Sequence, residues 1–164
     1  MTAAGKPTIA ANVAGRVRGL RANSLAALVM LLVEYGLGMW TNLYAKLPAA
    51  DQGKGTFVAF GDAVAHGPVG LALHALLGTL LIVTAASVVV RAALIRHAPL
   101  IVVGCVALLA ILAAWLSGAK FVGDAANGAS FGMALATGVA IVGYAAILFI
   151  AVPTPGRSAT ASRT

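Results

Sequence analysis

Residues 67–119 decide the fold, and they read GPVGLALHALLGTLLIVTAASVVV (67–90), RAALIRHA (91–98) and PLIVVGCVALLAILAAWLSGA (99–119). The first and third of these segments contain no acidic residue, lysine or arginine. A helix needs about 20 apolar residues to cross roughly 30 Å of hydrocarbon. The stretch therefore predicts two membrane-spanning helices that are joined by a short, arginine-containing turn.

Two similar apolar runs flank this stretch, at residues 24–44 and 128–152. The chain as a whole is 61% hydrophobic and 9% charged, whereas soluble domains carry about 25% charged residues. We therefore predict an all-α polytopic membrane protein, a four-transmembrane-helix bundle in a single domain over residues 22–152. The predicted spans are 24–44, 67–90, 99–119 and 128–152, with an outer loop at 45–66. Residues 1–21 are interpreted as a mobile basic cytoplasmic arm and 153–164 as a cytoplasmic tail.

The basic residues are distributed unequally between the two sides of the predicted bundle. One side, formed by the two termini and the loop between the second and third spans, carries Lys6, Arg16, Arg18, Arg21, Arg91, Arg96, Arg157 and Arg163. The other side carries Lys46, Lys54 and Lys120 together with Asp51, Asp62 and Asp124. Cytoplasmic loops of membrane proteins are enriched in lysine and arginine. The pattern predicts a multi-pass protein of the plasma membrane with both termini in the cytoplasm.

The outer loop is long enough to hold structure of its own. In its second half Phe57, Phe60 and Val64 recur at helical spacing, with Asp62 and His66 between and after them. Such a pattern is typical of an amphipathic helix that lies in the membrane interface. A structured, non-helical loop that caps the bundle is the alternative, and the sequence leaves this choice open.

Two ionisable residues lie within the predicted spans. Glu34 is ten residues before Tyr44 in the first span, and His74 is seven residues after Gly67 in the second. At about 1.5 Å of rise per residue, their heights differ by roughly 5 Å. Antiparallel neighbouring helices would bring the two side chains together. An intramembrane carboxylate is costly unless it is paired, protonated or hydrated, so Glu34 and His74 are the main candidate site.

The pair has three interpretations. It can be structural, with each side chain satisfying the other and fixing which helices pack together. It can be a relay in which a carboxylate and an imidazole exchange a proton. It can also bind the polar headgroup of a lipid or quinone, with Trp40, Asn42, Tyr44 and Trp115 lining the outer side. The candidate residues at the outer face are Trp40, Asn42, Tyr44, His66, Lys120 and Ser130. Trp40 and Tyr44 also fit the belt of aromatic residues found at membrane interfaces.

Little in the sequence supports a haem site, a metal site, an enzyme or a nucleic-acid-binding protein. A b-type haem needs two axial ligands on facing helices, but His66 and His74 are eight residues apart and would share one helix face. Haem would require His74 with Met133, or His74 from two protomers, so haem b stays a lesser alternative and no cofactor is predicted. No clustered ligands predict a metal site, and no nucleophile with a neighbouring base predicts an enzyme. The net charge of +7 fits lipid headgroups, and we predict no nucleic-acid partner.

Several short motifs carry a resemblance to a known group of proteins. They are GMWTNLY (38–44), HGP (66–68) leading into LHALLG (73–78), and NGASF (127–131) leading into Met133 and Ala134. Together they span most of residues 25–150, and the chain resembles a group of small uncharacterised bacterial four-helix integral membrane proteins. The resemblance implies a four-helix bundle with both termini in the cytoplasm. It brings no activity with it.

These observations favour a non-enzymatic role. Four helices enclose little volume for a complete alternating-access pathway in one protomer. We therefore expect an accessory, scaffold or assembly subunit of a membrane complex, or a homo-oligomer. The alternative is a small homo-oligomeric proton-coupled transporter or channel that uses Glu34 and His74. A haem-binding or quinone-binding membrane protein is the lesser alternative.

Overall fold

The structure is a computed structural model, and it describes residues 9–44, 53–124 and 127–151. Within these ranges the chain forms five helices and no strand: α1 (Ile9–Tyr44), α2 (Thr56–His66), α3 (Val69–Ile95), α4 (Ala98–Asp124) and α5 (Asn127–Ile150). Four of them, α1, α3, α4 and α5, are long and apolar enough to cross a bilayer. The prediction of an all-α, four-helix membrane protein is confirmed.

The four long helices form a closed ring. α1 contacts α3 and α5, and α4 contacts the same two helices from the opposite side. The short α2 packs on α3 and α4 at one end of the ring, which we call the α2 end. The opposite end contains Arg16, Arg91 and Arg96 and is called the arginine end. Short connections make α3 and α4, and also α4 and α5, antiparallel neighbours. α1 and α3 are connected through α2, and they pack directly against each other.

The second half of the outer loop is a helix. α2 covers residues 56–66 and ends where Gly67 adopts an extended conformation before Pro68. Proline disfavours the helical conformation of the residue before it, which separates α2 from α3. α3 continues past the predicted end at residue 90 and ends at Ile95, where Arg96 takes a left-handed conformation (φ 59°, ψ 36°). The backbone N–H of Arg96 donates to the carbonyl oxygens of Ala92 and Ala93, which closes the helix.

The first helix begins earlier than the hydropathy predicted. α1 starts at Ile9, so residues 9–21 continue the helix and are not the mobile arm that we expected. Polar side chains attach this segment to α3: Arg16 Nη1 donates to the carbonyl oxygen of Leu94 at 2.9 Å, and Asn23 Nδ2 donates to Ser87 Oγ. Hydropathy does not register such partners. The predictions for residues 1–8, 45–52 and 153–164 lie outside the described residues.

Two apolar clusters hold the bundle together. The larger cluster fills the arginine end and the middle, with α1, α3, α4 and α5 all contributing, and Tyr144 and Ile147 are completely buried in it. The smaller one lies beneath α2 and consists of Ala59, Ala63, Leu71 and Val122. The outward faces of the four long helices are also apolar, since Leu109, Val142 and Phe149 are among many exposed large side chains. This distribution indicates contact with lipid.

Small residues set the distance between α4 and α5. A side chain at Gly143 would begin 3.1 Å from Cβ and 3.7 Å from Cα of Ala107, whereas Gly138, on the same helix, has no neighbouring atom within 4 Å. We expect Gly143→Leu to lower the free energy of unfolding by about 1–3 kcal/mol through overpacking. Gly138→Leu should stay within about 0.5 kcal/mol. Denaturant titration in detergent micelles measures both, and equal effects would contradict this packing.

Candidate functional site

A cavity of about 130 Å³ lies between the two apolar clusters. Side chains of the larger cluster form its floor, and side chains of the smaller cluster under α2 form its roof. The floor consists of Leu31, Leu81 and Ile111, and the roof of Ala63, Leu71 and Val122. All five helices therefore contribute to its shape or to its cover, and its lining is mostly apolar.

The predicted pair lies in the wall of this cavity. Nδ1 of His74 is 3.0 Å from Oε1 of Glu34, and their side chains are 17% and 12% exposed. The proximity that their heights predicted is therefore present. The two atoms lie at ion-pair distance but are not aligned as a hydrogen bond. Nδ1 accordingly has no hydrogen-bond partner among the described residues. Two groups that can share a proton thus meet in a largely dehydrated place.

Two glycines give the pair its room. A Cβ at Gly78 of α3 would lie 3.0 Å from Oε1 of Glu34, and a Cβ at Gly38 of α1 would lie 3.0 Å from Cε1 of His74. Each glycine thus faces the ionisable side chain of the other helix. Small residues at helix interfaces allow the close approach of two backbones. Here they also leave a space that the carboxylate and the imidazole occupy.

Polar atoms without partners concentrate around the cavity. Glu34 Oε2, His74 Nδ1 and Thr41 Oγ1 are buried and make no hydrogen bond within the described part of the chain, and all three residues line the cavity. A buried unsatisfied polar group costs about 1–3 kcal/mol. Two further unpartnered atoms, Ser24 Oγ and Tyr144 Oη, are buried outside the cavity lining, so three of the five such atoms in the described residues belong to the cavity.

Aromatic rings from α2 and α4 close one side. Trp115 on α4 packs in a tilted arrangement against two rings of α2, with ring centroids 4.8 Å from that of Phe60 and 6.4 Å from that of Phe57. Its indole Nε1 donates to Thr79 Oγ1 at 3.1 Å. Trp115 and Phe60 both line the cavity. The helical segment of the outer loop is therefore a wall of the site, a role that the sequence did not reveal for Phe60.

α5 supplies the opposite side with moderately polar groups. Ser130, Met133 and Thr137 line the cavity, and Thr137 Oγ1 donates to the carbonyl oxygen of Met133 at 2.8 Å. Ser130 was a predicted candidate, and Thr137 follows it at a spacing of seven residues. Met133 is the thioether that a haem bound to His74 would need as its second ligand. The described positions place both side chains around one cavity.

The remaining outer-face candidates divide into two groups. Asn42 lines the cavity together with Glu34, His74 and Ser130. Four others are exposed and lie outside the cavity lining: Trp40, Tyr44, His66 and Lys120. The indole of Trp40 covers Gly70, where a Cβ would overlap it, and its ring centroid is 6.4 Å from that of Tyr44. Thr41 was not among the predicted site residues, although helical spacing places it beside Asn42; its burial depends on the packing of α1.

An ion pair holds the start of α2. Nζ of Lys54 lies 2.5 Å from Oδ2 of Asp62, and the hydrogen bond and charge of Lys54 lower the pKa of Asp62 below its usual 3.8. The backbone N–H of Gly53 also donates to the carbonyl oxygen of Gly123 at 3.1 Å. These contacts attach the roof of the cavity to the end of α4.

No group of three metal-binding side chains occurs in the described ranges. Comparison of the chain with protein-family models, with curated proteins and with solved structures finds no match. The chemistry of the site therefore rests on its own residues: a carboxylate and an imidazole in contact, a buried hydroxyl, an aromatic wall and an apolar cavity.

Proposed function

We propose that this chain is a non-enzymatic subunit of a membrane complex that holds a small amphipathic molecule from the bilayer in its cavity. One observation carries the proposal: a mostly apolar cavity of about 130 Å³ is lined by three residues with unpartnered polar atoms. Ligand sites are typically apolar with a few convergent polar groups. An accessory role also fits the small volume of the cavity.

The proposed setting is the plasma membrane of a bacterial cell, with both termini in the cytoplasm. It is supported by the arginines of one end of the bundle, where Arg16, Arg91 and Arg96 lie together, and by the lysine and arginine bias of cytoplasmic loops. In this orientation the cavity and α2 belong to the outer half of the membrane.

Native mass spectrometry of the protein, extracted from its host in a mild detergent, tests the proposal. We expect the native chain to carry an added small molecule, and the extract to contain a larger complex. Ala114→Leu fills the cavity that Ala114 lines, and should remove the added mass. Ala113→Leu adds the same volume at an exposed neighbour outside the lining, and should retain it. A native chain without added mass, or equal behaviour of the two variants, would overturn the proposal.

A second candidate is a homo-oligomeric proton-coupled transporter or channel. The 3.0 Å contact between Glu34 and His74 favours it, because a carboxylate and an imidazole can pass a proton between them. Proton flux into liposomes that contain the purified protein separates the candidates. A transporter loses its flux in Glu34→Gln while the protein stays folded, whereas a binding subunit shows no flux in either form.

A haem remains the lesser alternative. His74 and Met133 both line the cavity, which provides two side chains able to ligate iron. The volume argues against it, since a cavity of roughly 150 Å³ is known to hold one benzene ring, and a porphyrin contains four pyrrole rings. The absorption spectrum of the purified protein decides, because bound haem gives an intense Soret band that His74→Leu would abolish.

A further inference from the structure

The cavity reaches the side of the bundle between α1 and α5. Among the residues that line it, only four are exposed within the described ranges, and all four belong to these two helices. They are Tyr35, Met39, Asn42 and Ala134. The other lining residues, which include all of those on α2, α3 and α4, are buried or half-buried. A ligand therefore finds its opening at a lateral gap between α1 and α5.

This gap faces hydrocarbon. Around it the exposed side chains of the same two helices are apolar, including Leu32, Leu43 and Leu135. Glu34 lies about 15 Å from the end of α1 at Tyr44, given 1.5 Å of rise per residue, which is well inside a hydrocarbon core of about 30 Å. A molecule that enters here comes from solution in the bilayer.

The size of the cavity and the charge of the Glu34–His74 pair restrict the class of ligand further. The volume of about 130 Å³ is slightly below the roughly 150 Å³ that accommodates benzene in an engineered cavity, so the buried part is a single ring. Glu34 and His74 have no net charge when they share one proton, whichever of them carries it. A charged ligand would add an unpaired charge, and each buried ion costs several kcal/mol. The ligand is therefore uncharged.

The unpartnered atoms indicate which hydrogen bonds the ligand makes. Oε1 of Glu34 faces Nδ1 of His74, and the second carboxyl oxygen, Oε2, lacks a donor among the described residues. Thr41 Oγ1, also unpartnered, can donate and accept. A hydroxyl group on the ligand can donate to Oε2 of Glu34, while Thr41, seven residues farther along α1, offers a second polar contact within the same cavity.

Resting on the proposed function, we propose that the ligand is an uncharged, lipid-soluble ring compound with a hydroxyl group, of the phenol or quinol class. It enters between α1 and α5, its hydroxyl group donates to Glu34, and its apolar tail leaves through the gap past Met39 and Ala134.

Four probes with one decyl chain test the ligand class by calorimetric titration of the protein in lipid nanodiscs. They are 4-decylphenol, its methyl ether 4-decylanisole, decylbenzene and the cation decylpyridinium. We expect 4-decylphenol to bind at least tenfold more tightly than each of the others, and Glu34→Leu to reduce its affinity to that of decylbenzene. Leu76→Ala, at an exposed position outside the cavity lining, should leave all affinities unchanged.

The other outcomes separate the two proposals. Equal affinities for the phenol, the ether and decylbenzene would overturn the hydroxyl class and leave the proposed function standing. Tighter binding of decylpyridinium would overturn the uncharged class. No saturable binding of any probe would overturn the ligand class and the binding function together.

A matched pair of variants tests the route. Ala134→Trp places a large side chain at the gap, whereas Ala145→Trp adds the same side chain at an exposed position on the same helix outside the lining. We expect Ala134→Trp to slow the association of 4-decylphenol at least tenfold or to abolish it, with Ala145→Trp unchanged. Unaltered association in Ala134→Trp would overturn entry between α1 and α5.

Discussion

Replacement of His74 by leucine is expected to lower the free energy of unfolding by about 3–5 kcal/mol, because the Glu34 carboxylate then stays buried without its partner. Replacement of Glu34 by leucine leaves an imidazole nitrogen unpartnered, at a smaller cost of about 1–3 kcal/mol. The double variant removes both polar groups, and apolar replacements of buried ion pairs are often as stable as the original. Reversible unfolding in mixed detergent micelles, followed by circular dichroism, measures all three.

The coupling energy between the two positions decides the nature of the contact. Neutral hydrogen bonds between transmembrane helices couple by about 0.6 kcal/mol on average, so a value several times larger indicates a charged pair. Glu34→Gln is the conservative control, since it keeps the shape of the side chain and removes the charge. If the two leucine substitutions are simply additive, Glu34 and His74 do not stabilise one another, and the structural interpretation of their 3.0 Å contact is wrong.

Substitution of Gly78 by alanine is expected to have the opposite sign to the same substitution at Gly36. The added methyl group at Gly78 meets Oε1 of Glu34 at 3.0 Å, whereas Gly36 has no atom within 4 Å. Gly36→Ala should stabilise the protein by about 0.4–1 kcal/mol, as a helical glycine replaced without strain does. Gly78→Ala should destabilise it by about 1–3 kcal/mol, because overpacking displaces the carboxylate from His74.

Removal of the Glu34 carboxylate tests whether this group causes the destabilisation expected of Gly78→Ala. In a Glu34→Ala background the carboxylate is gone, and Gly78→Ala should then be stabilising, like Gly36→Ala. Thermal unfolding of the four proteins in one detergent makes the comparison. A destabilising Gly78→Ala in both backgrounds would show that the Glu34 carboxylate is not the obstructing group.

Hydropathy predicts the helices whose surroundings are apolar throughout. The spans 67–90 and 99–119 are predominantly apolar, and lipid or packed helix surrounds them in any arrangement, so length and composition suffice. The approach of Glu34 and His74 could be predicted from their heights, because the rise per residue and the antiparallel direction of the two helices give the relative height of the two side chains. The use of this pair, the orientation in the membrane and the role in a complex stay predictions.

Other features depend on contacts between distant segments. The residues from Ile9 to Arg21 have the composition of a loose arm, yet they form the first turns of α1, and Arg16 among them reaches a partner on α3. Phe60 and Thr41 became part of the site only through the packing of α2 and α1 around one cavity. The lateral gap is likewise a property of how two helices separate, and no periodicity in either helix encodes it.

α1 has 36 residues, about 54 Å at 1.5 Å per residue, which exceeds a hydrocarbon core of roughly 30 Å. It is one uninterrupted rod, clamped to α3 near its start by Arg16 and Asn23, and it carries Glu34 farther along. Because no break interrupts α1 between Ile9 and Tyr44, a force applied to its first turns would act on the same rigid element that carries Glu34.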